Sequence, residues 1–368
     1  MRGKIFSMFS ILILLSACAK VEQNDDFDYV TKDELQAEVP AVYHNIRYDD
    51  AGRLFLKIPG KMENYYAEDT EPAYTLQMMQ TQPQGTQNGI RFDFGKRDLN
   101  GKLYYGFILK DEIKYPQPVF FKRYAEIVKG RAEIDIAGNL SGKHDIADWE
   151  ETGKAVLGYR IENSEGILIY DGKVYLRGKG PFAVDTSLIE GPFINMLRDT
   201  SVVISFKTNF ECAPFIEING RNYRGKTGTT HEISISGLEA DSNYEYRVHF
   251  GDNFEEGTFK TAPPEGSREK FVFAYASDSR DGKGGGERNI YGVNAYIMKK
   301  IAALTLQKDA DFFQFTGDLI DGYLTSFDEQ LLQYANWKRT IEPFARHIPF
   351  NFGMGNHEAL VHAFPAPD

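Results

Sequence analysis

The stretch from residue 271 to 358 limits what this chain can fold into more than any other. Three apolar runs, Phe271 to Ala276, Phe312 to Thr316 and Ile348 to Met354, each end in residue types that can act as ligands. The endings are Ser277-Asp278-Ser279-Arg280, Gly317-Asp318-Leu319-Ile320-Asp321-Gly322 and Gly355-Asn356-His357-Glu358. Between the runs, Glu287 to Ala310 carries Ile290, Val293, Ile297, Ile301 and Leu304, steps of three and four that mark one helix face. Phe327 to Arg346 reads as a second helix, with Leu331, Tyr334, Ile341 and Phe344 available to a sheet and Pro343 able to kink or end it. Strand–helix–strand–helix–strand order predicts a parallel sheet with right-handed crossovers. Ligands bind beyond the carboxyl ends of such strands. Asp278, Asp318 and Asn356 stand 40 and 38 residues apart, one crossover each, so all three belong on that edge with His357.

With 368 residues, 42% of them hydrophobic, the chain can form two or three separate cores. A formal net charge of -11 argues against non-specific nucleic-acid binding. At the amino terminus Arg2 and Lys4 precede an apolar run from Ile5 to Leu15, the charged start and short core of a secretory signal. The run is short for a membrane span. It closes on Leu15-Ser16-Ala17-Cys18, which resembles the lipobox of bacterial lipoproteins. That resemblance implies a signal peptide over 1–17, acylation of Cys18, and an exported chain anchored by lipid to a bacterial membrane, the outer one, on its periplasmic or its surface side. With Cys18 so used, Cys212 has no partner for an intrachain disulfide. Residues 18–40 open with an acidic stretch, Glu22 to Asp28, and read as a tether.

From 41 to 186 short β-branched and aromatic runs alternate with turn residues, which predicts an antiparallel β-sandwich. Asp171-Gly172, between Gly166–Tyr170 and Lys173–Leu176, reads as a two-residue hairpin turn. His144, beside Asp145 and Asp148, reads as a surface residue, and Asp145 to Glu151 as a short helix. Residues 187–262 hold a second series of strands. Gly237-Leu238, followed by Tyr244-Glu245-Tyr246, resembles the corner of a fibronectin type III module. Gly191-Pro192-Phe193, with Val203 to Thr208, resembles the start of the amino-terminal domain of purple acid phosphatases. Residues 263–269, opening on Pro263-Pro264, form a stiff linker to the last domain, 270–368.

The residues of that last domain suit one kind of chemistry. Attack on a phosphate ester at neutral pH needs a hydroxide, and positive charge facing the phosphoryl oxygens. Two metal ions about 3.5–4 Å apart supply both. Hard ions take carboxylate, amide-oxygen and imidazole donors. A glycine before the Asp or Asn lets the turn tighten. The ordered Gly-Asp and Gly-Asn-His-Glu elements resemble the calcineurin-like metallophosphoesterases, and with the sandwich ahead of them the purple acid phosphatase branch. The resemblance implies Asp278 on the first metal, Asp318 bridging, Asn356 on the second and His357 as proton donor to the leaving group. It also implies two divalent or trivalent ions (Fe, Mn or Zn) and a phosphate-ester substrate.

The chain departs from that pattern in three ways. Arg280 stands where the family has His or Gly; an Arg cannot ligate a metal, and it reads either as a bidentate clamp on a phosphate or as a partner of Asp281. Asp321 replaces the Tyr of the purple branch and reads as a hard ligand or an orienter of one. The family's later Gly-His-x-His element has no counterpart before Asp368; His362 lies too close to His357 to replace it. Asp281-Gly282-Lys283-Gly284-Gly285-Gly286 lacks the spacing of a nucleotide-binding loop and reads as a lip over the site. The expected fold is therefore multidomain: all-β sandwiches, then the first half of an α/β metallophosphoesterase domain in βαβαβ order. The expected function is a metal-dependent phosphoesterase outside the cytoplasm, impaired as this chain. The alternative is a lipid-anchored surface binding protein with a degenerate catalytic domain.

Overall fold

The computed structural model describes residues 31–39, 41–66, 72–109, 116–120, 123–281, 289–324 and 326–359. The expected signal, Cys18, the stretch from Glu22 to Asp28 and the lip from Gly282 to Gly286 lie outside these. Residues 31–66 belong to one compact unit; 73–322 and 328–359 belong to another. In the first, helix Lys32–Glu38 opens on a capping box in which Thr31 and Glu34 satisfy each other's backbone N–H. Strands Ile46–Tyr48, Leu54–Lys57 and Asn64–Tyr66 form a small antiparallel sheet. Among the described residues no helix is long and apolar enough to cross a membrane.

The second unit begins with two sheets around one core. A five-stranded sheet includes Gly101–Phe107, Lys154–Asn163 and Leu168–Arg177; a three-stranded one includes Gly89–Asp93 and Arg131–Asp135. Phe92, Leu103, Ile134, Leu157 and Ile161 meet between them. One expectation fails here. Asp171-Gly172 is not a turn but the middle of the ten-residue strand Leu168–Arg177. The Asp171 carboxylate is buried and takes Arg160 Nε and Nη2 at 2.7 and 2.8 Å from the neighbouring strand. Such a bidentate pair across a ladder outweighs a local turn preference. Gly172 is needed for packing: a Cβ there would lie 2.1 Å from Cζ of Tyr159. Gly172→Ala should therefore cost about 2–3 kcal/mol in denaturant unfolding. The reverse occurs near Asn163, whose Oδ1 accepts from Glu165 and Ile167 N–H and makes the turn between the two strands.

A second sandwich follows, three strands against four. Leu188–Asn195, Ser201–Cys212 and Gly228–Ser236 form one sheet; Arg221–Arg224, Phe215–Ile218, Asn243–Phe250 and Asn253–Lys260 form the other. Leu238 is buried at the corner, and the Tyr244 hydroxyl accepts the Glu239 N–H at 2.7 Å.

The last layer is the expected βαβαβ. Strands β1 (Phe273–Ala276), β2 (Phe312–Phe315) and β3 (Phe350–Phe352) pair in parallel in that order. Helix α1 (Ala295–Gln307) joins the first two and α2 (Phe327–Ala345) the last two. The buried face of α1 is Ala295, Met298, Ala302 and Thr305, while Ile297 and Leu304 are exposed. The cause is the start of the helix. Asn294 caps it by accepting the Ile297 N–H, so Ile290 and Val293 lie in the bridge before it and do not set its face.

Helix α2 runs through Pro343 and is buried on two sides, which its polar sequence conceals. Trp337, Ile341 and Phe344 pack on the parallel sheet, and Leu332 and Ala335 on the first sandwich. Asn336 Nδ2 donates to Ile169 O at 2.9 Å, and Lys338 Nζ lies 3.0 Å from Glu190 of the second sandwich. Burial alone would raise the Glu190 carboxyl, but Lys338 and Lys207 more than offset it and hold it at about 2, below its ordinary 4.5. A depressed carboxylate adds stability above its unfolded value and loses it as pH falls through the folded one. Unfolding free energy should drop by about 3 kcal/mol between pH 4.5 and 2. In Glu190→Gln that part of the acid dependence should vanish.

Candidate functional site

Asp278, Arg280, Asp318 and His357 follow the carboxyl ends of β1, β2 and β3 and are linked there by side-chain contacts. Asp278 and Asp318, each just past a strand, both adopt left-handed backbone (φ 59° and 55°). Non-glycine residues take that conformation at a cost, and it recurs at functional turns. The Asp278 N–H donates to Gly317 O at 3.1 Å, joining the first two ends. Gly355 joins the second and third: a Cβ there would lie 2.1 Å from Asp318 Oδ1. Only glycine allows these two turns to touch.

The side chains form a line of contacts. Ser277 Oγ donates to the Asp278 carboxylate, whose other oxygen lies 4.0 Å from Arg280 Nη2. Arg280 Nη1 donates to His357 Nε2, and His357 Nε2 lies 3.9 Å from Asp318 Oδ2. His357 Nδ1–H donates to the carbonyl oxygen of Asp321, so the ring is held from both sides. The His357 N–H also reaches Asp318 Oδ1 at 3.4 Å. Asp278 is 55% exposed and Asp318 14%, so the first carboxylate faces solvent and the second lies beneath it. Asp321 enters through its backbone: its N–H donates to Gly292 O at 2.8 Å and its carbonyl accepts His357. Asn356 is exposed at the end of β3.

Glu358, known from sequence only as the end of its motif, supports the site together with Gln330, Gln333 and Trp337, to which the sequence assigns no such role. The buried Glu358 carboxylate accepts N–H groups from Asp318 (2.9 Å), Leu319 (2.6 Å) and Gly355. It therefore ties the Gly-Asp turn to the Gly-Asn turn. Its place three residues after Gly355 has the spacing of a capping box, the one local sign of this role. Gln330 and Gln333 of α2 reach Glu358 O at 2.6 Å and Gly322 N at 2.9 Å. Trp337 Nε1 donates to Ser279 Oγ at 2.9 Å, and Ser279 passes that contact to Leu319 O, also at 2.9 Å. Burial pushes the Tyr334 hydroxyl up, with the nearby charge of Glu358 adding to the shift.

As a metal site the arrangement is partial. Asp278, Asp318 and Asn356 offer the oxygen donors that hard ions take. Yet among the described residues no three His, Cys, Asp or Glu side chains gather closely enough to hold an ion. The guanidinium of Arg280 reaches both His357 and Asp278 and supplies positive charge there itself.

No protein-family model matches the sequence. Among solved structures, PhoD is similar at a TM-score of 0.37 and 15% identity, over 45% of this chain and 38% of that one. The purple acid phosphatase PPD1 of yellow lupin (Lupinus luteus) seeds gives 0.38 and 15%, over 73% and 53%. The central fibronectin-III array of RIM-binding protein gives 0.26 and 10%, over 55% and 71%. All three likenesses are coarse, and this chain spans well under two thirds of the first two proteins.

Proposed function

We propose that the carboxyl edge of the parallel sheet is a metal-dependent phosphoesterase site for phosphate monoesters. The observation that carries the reading is the convergence of Asp278, Arg280, Asp318 and His357 at three adjoining strand ends. Asp278, Asp318 and Asn356 would hold the ions, with Asp318 central because it borders both neighbouring turns. Bound ions would supply hydroxide and neutralise the phosphoryl oxygens. Arg280, 42% exposed, would clamp the substrate phosphate through its planar fork.

His357 has a role coupled to Arg280. Its Nε2 accepts from the guanidinium, so the outward nitrogen is occupied until Arg280 turns to a substrate. Substrate binding would free Nε2 beside the leaving oxygen. His357 Nε2, unprotonated while it accepts from Arg280, would take the proton released by the attacking water and pass it to the leaving oxygen, with Nδ1–H fixed by Asp321. Three ligand residues among the described ones would leave much of the coordination of two ions to water, so metal binding by this chain should be weak. The anchored, exported location and the fibronectin-like identity of the three-plus-four sandwich belong to the same proposal.

The experiment is hydrolysis of a chromogenic phosphate monoester before and after chelation, with Mn, Zn or Fe restored. Turnover should follow the metal, and Arg280→Ala should raise KM by about tenfold or more, as loss of a charged hydrogen bond implies. Turnover indifferent to chelation would end the proposal. The second reading, a surface binding protein, rests on Arg280 supplying charge where ions would sit; absent turnover with intact phosphate binding would support it.

A further inference from the structure

The most concentrated buried charge in the described chain lies about α2, away from the strand ends. Lys173 Nζ is 2.5 Å from Glu342 and 3.8 Å from Glu255. Arg339 Nη1 meets Glu342 at 2.5 Å, and Arg346 Nη1 meets Glu255 at 3.0 Å. These five side chains are all at most 15% exposed. Three cations therefore face two carboxylates. Asp171 does not correct the balance, because Arg160 already takes both its oxygens.

A cavity of about 40 Å³ lies among these groups, lined by Lys173, Arg339, Arg346, Glu255 and Glu342, with Lys299 beside them. Arg346 Nε is buried and has no hydrogen-bond partner. An uncompensated charge and an unmade charged hydrogen bond are each costly in a dry interior. Water would satisfy the Nε–H but leave the excess positive charge. A cation would add to it.

We propose that this cavity binds one small monovalent anion of halide size, held by Arg346 and Lys173. The space exceeds what one water-sized sphere requires and is too small for an organic acid. The anion would join the first sandwich (Lys173), the second (Glu255, through Arg346) and α2, and reduce the excess positive charge by one. Desolvation pushes the Lys173 ammonium down, and a neighbouring anion would work against that. Because α2 also carries Gln330, Gln333 and Trp337, its anchoring there would steady the strand-end turns.

The full chain should melt about 3 °C higher in sodium chloride than in sodium gluconate at equal ionic strength. Crystals soaked in sodium bromide should show an anomalous peak in the cavity. Arg346→Met should abolish the chloride response; if that variant does not fold, the bromide map of the unmodified chain decides. Equal melting in the two salts, or a map with water alone in the cavity, overturns the proposal.

Discussion

Glu358→Ala should lower the stability of the second unit by about 4 kcal/mol. The substitution leaves the N–H groups of Asp318, Leu319 and Gly355 without their acceptor. Each buried donor left unmade costs about 1–3 kcal/mol, with entering water returning part of that. The effect should be local first. Hydrogen exchange at Asp318 and Leu319 should quicken before the sandwiches respond, since the carboxylate's hydrogen bonds go to the strand-end turns. Glu358→Gln keeps one acceptor oxygen but turns an NH₂ toward backbone donors, so it should recover less than half the loss. Unchanged exchange at Asp318 in either variant would show that Glu358 does not hold the two turns together.

Asp318→Ala should reduce metal-stimulated ester hydrolysis by roughly 10²–10³-fold with little effect on melting. Metal stabilisation of transition-state charge is worth several kcal/mol, and the proposal places Asp318 on both ions. Its side chain makes one long hydrogen bond, to His357 N–H at 3.4 Å, so the fold has little reason to respond. Its left-handed backbone (φ 55°) suits Asp better than Ala, which adds a cost of about 1 kcal/mol in the variant, small beside the expected loss of turnover. A fall in turnover matched by a fall in melting would instead give Asp318 a structural role.

What could be read beforehand followed from how local each signal was. The three strands and their order were visible, because an apolar run ending in Gly-Asp or Gly-Asn is contiguous and the crossovers have ordinary length. The strand series of the second sandwich was visible for the same reason. The α1 face was not, since Asn294 starts the helix several residues later than the apolar spacing suggests. Asp171-Gly172 carried a strong turn signal that Arg160 and the Tyr159 ring overruled from the neighbouring strand. The double burial of α2 depends on partners more than a hundred residues away, such as Ile169 and Glu190. Glu358 was seen as the end of a motif, but its three N–H partners are visible only once the turns are folded together. Arg280 reads from sequence as a substrate clamp or a partner of Asp281; its contact with His357, 77 residues on, is visible only in the fold.

The account turns on whether these strand ends hold cations. Titration of Mn²⁺ into the metal-stripped chain, followed by electron paramagnetic resonance of the free ion, addresses that directly. Weak but saturable binding that tightens with inorganic phosphate, and disappears in Asp278→Ala and Asp318→Ala, is the predicted result. Binding that is absent, or equal in the unmodified chain and both variants, would contradict it.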